Sequence, residues 1–303
     1  MTASVFTIDF LDMPTPFDYA RLKAWPFEDV VTAYGSRETM LYALALGAGR
    51  DPLDERALRY VYERDLVALP AMAVTLGYPG SWMAHPESGI DYTRVVHGEN
   101  RLTMHRPLPV SGTVVGRTRV TRIVDKGAGK GVVVTAERTV SDRASGDLYA
   151  TIEHVTFCRG EGGYSASGQP SDAPSEALPR APDRAPDAVD EMPTSSDMAL
   201  VYRLLADPNP LHADPAVARK AGFARPILHG LASYGVAGLA LIRRWTDDAP
   251  SRLTSLHARF VAPVYPGDVL AVESWREGDG VRFRVRVAAR DAVVIDCGVA
   301  AIA

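Results

Sequence analysis

The run Tyr202-Arg-Leu-Leu-Ala-Asp-Pro-Asn-Pro-Leu-His-Ala-Asp-Pro215 places an acid, Asp207, and an imidazole, His212, five positions apart inside a frame of three prolines. Pro208 and Pro210 push Asp207 and Asn209 away from helical angles, because a proline ring crowds the residue before it. The two side chains therefore do not share one face of a continuous helix. They sit in a stiff, extended turn that can aim both into one cleft. Asp214 then reads as an N-cap, Pro215 as the first helical residue, and Gly222 as the C-terminal cap of a short helix. Pro226-Ile-Leu-His-Gly-Leu231 follows, and 228–244 reads as an apolar helix in which Gly230, Gly235 and Gly238 allow close approach.

Ahead of this run, a helix is expected from about residue 195 through Leu200, Tyr202 and Leu204. Behind it, strands are expected at 253–261, 269–275, 281–289 and 293–302, with Pro263, Pro266 and Gly267 as punctuation. The first part of the chain follows a similar plan. A helix is expected within 27–47, closed by Gly47 and Gly49, and the largely apolar 65–77 reads as a second one. Strands follow at 101–105, 113–124, 132–141 and 148–158, the last two joined by Ser145-Gly146-Asp147. Between the halves, 160–193 carries Pro170, Pro174, Pro179, Pro182, Pro186 and Pro193 and hardly any bulky apolar residue, so it reads as a linker. The division is 1–160, a linker at 161–193, and 194–303. An apolar helix followed by antiparallel strands, twice over, implies an internal duplication of an α+β unit with each sheet wrapped around its helix.

The composition of the 303 residues, with 47% hydrophobic and 23% charged, is that of a globular protein. A formal net charge of −4 and a pI near 6.0 give no reason to expect a nucleic-acid partner. Cys158 and Cys297 are too few for a disulfide framework and read as buried thiols in a reducing compartment. No apolar run suits a membrane span, the N-terminus lacks a signal pattern, and Ala-Ile-Ala at the C-terminus is no peroxisomal address. A cytoplasmic location with no membrane partner is the expectation. The seven histidines show no zinc spacing with cysteine, and phosphate loops, dinucleotide fingerprints and Gly-x-Ser-x-Gly elbows are missing from the sequence. No metal or cofactor is expected.

The proline-framed run resembles the (R)-specific enoyl-CoA hydratase (hydratase 2) family within the MaoC-like dehydratases. The family pattern is a Tyr, then Ser-Gly-Asp-x-Asn-Pro-Leu-His, then Asp-Pro and a short helix. The chain matches at Tyr202, Asp207, Asn209, Pro210, Leu211, His212, Asp214 and Pro215, and departs at Leu205 and Ala206. The segments 226–231 and Arg259-Phe-Val-Ala-Pro-Val-Tyr-Pro-Gly267 are similar to further family blocks. The resemblance implies a tandem double hotdog that binds acyl-CoA, with a homodimer as the expected assembly. Asp207 and His212 would share one water and divide the proton transfers, while Asn209 would orient the water or the acid.

Each of these residues also has a plainer reading. Asp207 alone could end a helix, and His212 alone could be a satisfied turn residue. Gly230 opens a helix whose first amides are free to bind an oxyanion, but it also suits helix–sheet packing. His229 is expected as a pocket residue, and His97-Gly98-Glu99 as either an acyl or pantetheine path or a capped turn. Arg259, with Arg219, Lys220 and Arg225, is a candidate for the CoA phosphates. The first half lacks the Asp-x-Asn-Pro-Leu-His run and is expected to hold substrate, with Ala73 lining its helix. The implied reaction is reversible hydration of a trans-2-enoyl-CoA to the (3R)-hydroxyacyl-CoA. Its rivals are a biosynthetic hydroxyacyl dehydratase, a thioesterase, or a non-catalytic acyl-CoA-binding protein.

Overall fold

The computed structural model describes residues 15–205 and 207–303. The departure from the family pattern at Ala206 lies outside the described residues. The first half contributes α1 (Tyr19–Lys23), β1 (Val30–Tyr34), α2 (Ser36–Ala45), α3 (Leu58–Val61), β2 (Val95–Met104), β3 (Gly112–Asp125), β4 (Val132–Asp142) and β5 (Leu148–Cys158). The second contributes β6 (Ala188–Pro193), α4 (Met198–Tyr202), α5 (Pro215–Lys220), α6 (Gly230–Trp245), β7 (Leu253–Phe260), β8 (Val269–Glu277), β9 (Gly280–Val287) and β10 (Ala292–Ile302). All ten strands form one sheet, ordered β1-β3-β4-β5-β2-β7-β10-β9-β8-β6. The order reads the same outward in both directions from the β2–β7 seam, where Glu99 faces Arg259 and Thr103 faces Ser255. That symmetry is what a duplicated unit produces.

The sheet wraps α6, the apolar helix of the second half. Its buried residues share one core with α2, α4 and the inward faces of strands from both halves. Each large side chain buried there contributes roughly 1.5–3 kcal/mol. Gly235 permits the closest contact: a Cβ at this position would lie 2.8 Å from Tyr42 Oη and from Leu46 Cδ2. α6 thus packs against α2 at a distance only glycine allows.

Of the two helices expected in the first half, the one within 27–47 forms and the one at 65–77 does not. In 27–47, Val30 and Val31 favour an extended backbone and pair with β3 as an edge strand, so α2 begins only at Ser36. Glu38 fixes that start by accepting the Gly35 amide at 2.8 Å. The apolar run 65–77 supplies no long helix. Asp65 has φ 57°, Leu69 is extended ahead of Pro70 as a proline requires, and a 3-10 helix covers only Pro70–Thr75 before Gly77 turns with φ 59°. Ala73 is fully buried in the core rather than facing a cavity; Val74 and Thr75 face the cleft.

The expected linker is also more structured than its composition implies. Its last six residues are β6, paired with β8 from Ala188↔Ser274 to Pro193↔Val269. Earlier, the Asp125 carboxylate accepts from the Gly163 and Ser165 amides, and Asp172 accepts from Tyr19 Oη and the Ile123 amide. These hydrogen bonds tie the segment onto the first half without any hydrophobic run to advertise it.

Candidate active site

The proline-framed run forms an irregular turn between α4 and α5. The Asn209 amide donates to Asp207 Oδ1 at 3.1 Å, and Asn209 Oδ1 accepts from the Leu211 amide at 3.0 Å, which caps the 3-10 turn Pro210–His212. Asn209 therefore orients the acid through its backbone, while its side-chain oxygen is spent on the turn. Asp214 caps α5 by accepting from the Ala216 amide at 2.7 Å.

Two buried histidines flank the acid. His212 Nδ1 donates to the Ile227 carbonyl at 2.9 Å, which leaves the lone pair on Nε2. His229 Nε2 donates to the Asp207 carbonyl at 3.1 Å and tethers the turn to the start of α6. The rings stack with centroids 3.7 Å apart and planes 29° from parallel. Burial keeps both neutral: it lowers the pKa of His212, and it drives His229, with help from His212, down to about 3. Asp207, His212 and His229 each bring one oxygen or nitrogen to within 4.8 Å of the others. A divalent cation needs lone pairs that converge on a point, whereas lone pairs in the planes of stacked rings run side by side. The arrangement suits proton transfer better than metal ligation.

α6 starts beside this pair. The Ala232 and Ser233 amides both turn back to the His229 carbonyl, so Gly230 and Leu231 supply the free first-turn donors of a 16-residue helix. Both residues line the cleft, and a Cβ on Gly230 would press on the Phe260 ring at 3.3 Å.

The cleft has a volume of about 1620 Å³ and draws walls from both halves. It brings together Asp207, Asn209, His212, His229, Gly230, His97, Gly98 and Arg259. Gly98 is the extra residue of a bulge between His97 and Glu99 in the β2–β5 pairing, and it leaves His97 stacked on His154 at 3.7 Å. Arg259 is not free for a phosphate. It reaches across the seam to the Glu99 carboxylate at 2.7 Å, which Arg101 of the same strand as Glu99 also holds at 2.7 Å. Of the other expected phosphate ligands, Lys220 lines the cleft, whereas Arg225 lies over the Tyr265 ring and Arg219 is exposed on α5.

Three cleft residues had no motif to announce them: Tyr78, Arg138 and His154. For Arg138 and His154 the usable signal was strand phase; Tyr78 lies in the loop beyond Gly77 and had none. Val132, Val134, Ala136, Arg138 and Val140 alternate inward on β4, and Ala150, Ile152, His154 and Thr156 do so on β5. A charge or imidazole in such a series marks a lined cavity.

A duplicated hotdog sheet with an acid–imidazole pair at the mouth of its central helix defines a class of acyl-thioester hydratases and dehydratases. The chain matches the MaoC like domain over residues 177–296 and the MFE-2 hydratase 2 N-terminal domain over residues 33–160. It is 35% identical to the peroxisomal enoyl-CoA hydratase 2 of Arabidopsis thaliana, over 86% of this chain and 88% of that one. It is 39% identical to 3-hydroxyacyl-thioester dehydratase Y of Mycobacterium tuberculosis, over 89% of this chain and 93% of that one. The crystal structure of a MaoC-like dehydratase from Phytophthora capsici superposes with a TM-score of 0.82 at 31% identity, covering 94% of this chain and 98% of that one. The chain belongs to the MaoC-like dehydratases, in their double-hotdog hydratase 2 branch.

Proposed function

We propose that the protein is an (R)-specific 2-enoyl-CoA hydratase, and in reverse a (3R)-hydroxyacyl-CoA dehydratase. The observation that carries this reading is the pairing of Asp207 with a neutral His212 whose Nε2 lone pair is free. A water held between them loses a proton to His212 Nε2 as its oxygen bonds to the β-carbon. The π electrons move toward the thioester, and the charge gathering on its oxygen is met by the Gly230 and Leu231 amides with the positive end of α6 behind them. The imidazolium, steadied by the Asp207 carboxylate, then returns the proton to the α-carbon on the same face. Hydroxyl and hydrogen are thus added syn, with no net redox change.

The cleft lining supports a CoA ester. Eight arginines and lysines line it against three carboxylates, in a chain whose net charge is −4. That excess suits a polyanionic ligand. Loss of enoyl-thioester absorbance over a panel of acyl-CoAs, with product stereochemistry, tests the proposal. The expected product is the (3R) alcohol; a (3S) product, or hydrolysis to free CoA, would sink it.

Among the described residues no helix is long and apolar enough to cross a membrane. A cytoplasmic location and a homodimer belong to the same proposal. Exposed Leu44 on α2 and Leu200 on α4, two helices in contact, support a self-association surface. Light scattering of the purified protein tests the dimer, and imaging of a tagged chain in its host separates cytoplasm from peroxisome.

A further inference from the structure

Arg138 occupies a position where the pleat of β4 otherwise turns aliphatic side chains inward. It is only 7% exposed, yet it lines the cleft. Nη2 donates to the Val74 carbonyl at 2.7 Å, and the guanidinium lies 5.3 Å from the centroid of the Tyr78 ring. Among the described residues Nε is buried with no partner. Burial lowers the pKa to about 10, so the group is charged at neutral pH, and the titratable groups acting on it are Tyr78 and Tyr202, neither of them a carboxylate. A cation taken out of water without a counter-charge is costly, and one carbonyl with one ring face offsets only part of that.

The groups beside Arg138 are hydrogen-bonding and uncharged, and the carboxylate felt by them, Asp207, is not among the groups acting on Arg138 itself. His154 lies beside Arg138, held neutral by burial first and by Arg138 second, at about 4. His97 stacks on it and spends Nε2 on the Glu99 carbonyl at 3.1 Å. The Asp207 charge reaches both His154 and Tyr78, which places this lobe next to the reacting carbons. The exposed Arg94, Lys126, Arg159 and Lys220 lie elsewhere on the lining, where bulky phosphates have access. What reaches a buried cation beyond the β-carbon is the far end of the acyl group.

We propose that Arg138 is a specificity-determining residue that receives a carboxylate at the far end of the acyl group. The preferred substrates are then mono-CoA thioesters of short 2-unsaturated dicarboxylic acids, not plain alkyl enoyl thioesters. This rests on the hydratase reading and narrows it.

Two matched pairs test it: 2-pentenoyl-CoA against glutaconyl-CoA, and 2-hexenoyl-CoA against 2-hexenedioyl-CoA. The wild-type protein is expected to favour the carboxylate-bearing member of at least one pair by about 10-fold or more in kcat/KM, the worth of a charge-assisted hydrogen bond. Arg138→Met should reverse that ratio, and Arg138→Lys should restore part of it. Thermal unfolding checks that each variant is folded; if Arg138→Met is not, the wild-type ratios decide alone. A wild-type preference for the alkyl member of both pairs overturns this inference and leaves the hydratase reading standing. A carboxylate preference that survives in folded Arg138→Met also overturns the assignment. Turnover of none of the four would instead overturn the hydratase reading itself.

Discussion

β4 and β9 are each the third strand out from the seam, one in either half, and their inward faces differ. On β9, Val281, Phe283, Val285 and Val287 are all buried against the core around α6. On β4 the series Val132, Val134, Ala136 and Val140 is interrupted by Arg138, and the helix opposite has shrunk to Pro70–Thr75. One half spends its interior on packing a long helix. The other leaves space there and lines it with an arginine and two histidines. Duplication supplied two equivalent frames, and in the proposed reaction only one of them needs to be rigid. The rigid frame carries the helix terminus and the Asp207–His212 turn, and the opened frame would hold the substrate.

The largest expected effect breaks the chemistry in the second half. Asp207→Asn and His212→Asn should each lower kcat by at least about a hundredfold with little change in KM, because His212 carries the proton and Asp207 steadies the imidazolium that carries it, and general acid–base groups contribute about 10²–10⁴-fold. The double variant should lose far less than the product of the two. Steady-state kinetics on crotonyl-CoA reads both effects, and near-normal kcat in either folded single variant would break the assignment. His105→Asn, on the first-half surface, is the control and should leave kcat unchanged.

Next in size is the packing of α6. Gly235→Val forces a branched side chain into the contact with Tyr42 and Leu46, and overpacking of this kind costs about 1–3 kcal/mol. Chemical denaturation should show that loss. A smaller effect is expected at the opened half, where Val74 faces the cleft. Val74→Phe should shift preference toward shorter acyl groups by several-fold in kcat/KM and cost less stability than Gly235→Val, because Val74 is buried but borders open space. Equal stability losses from the two substitutions would erase the contrast between packed and opened halves.

A further effect is a pH dependence of stability. His154 and His229 titrate near 4 and 3 in the folded protein, against 6.5 for an ordinary histidine, because burial disfavours the charged form. The unfolded chain therefore takes up protons first as pH falls. Stability should be full above about pH 6.5 and decline from there toward pH 4, and His154→Asn should flatten that decline in Tm measurements. The same depression at His212 keeps it neutral, so the acid limb of kcat/KM should fall below the usual histidine range.

Much of this architecture was legible in the sequence. β3, β4 and β5 alternate or run apolar between glycine turns, and their bounds follow those signals to within a residue or two. The Asp207–His212 pairing was legible because prolines restrict the backbone in known directions. The apolar run at 65–77 misled because apolarity marks burial without fixing the helix type, and Asp65 and Pro70 limit what the backbone can do. Arg259 misled because a cation near a family block says nothing about the acid across the seam, Glu99, which is 160 positions away. Arg138 was recoverable from strand phase alone.

The β2–β7 seam has a consequence for how the cleft is assembled. Two separate polypeptides carrying these halves would meet only at their cellular concentrations, and any pairing of either with copies of itself would compete. Joined through 161–187, the second half meets the first at an effective concentration set by the tether, on the order of millimolar for short flexible connections, whatever the dilution. Self-pairing stops competing. A substitution on either side of the seam is then expressed once per cleft instead of twice, so one frame can lose a helix and gain a buried arginine without the same change appearing in its twin.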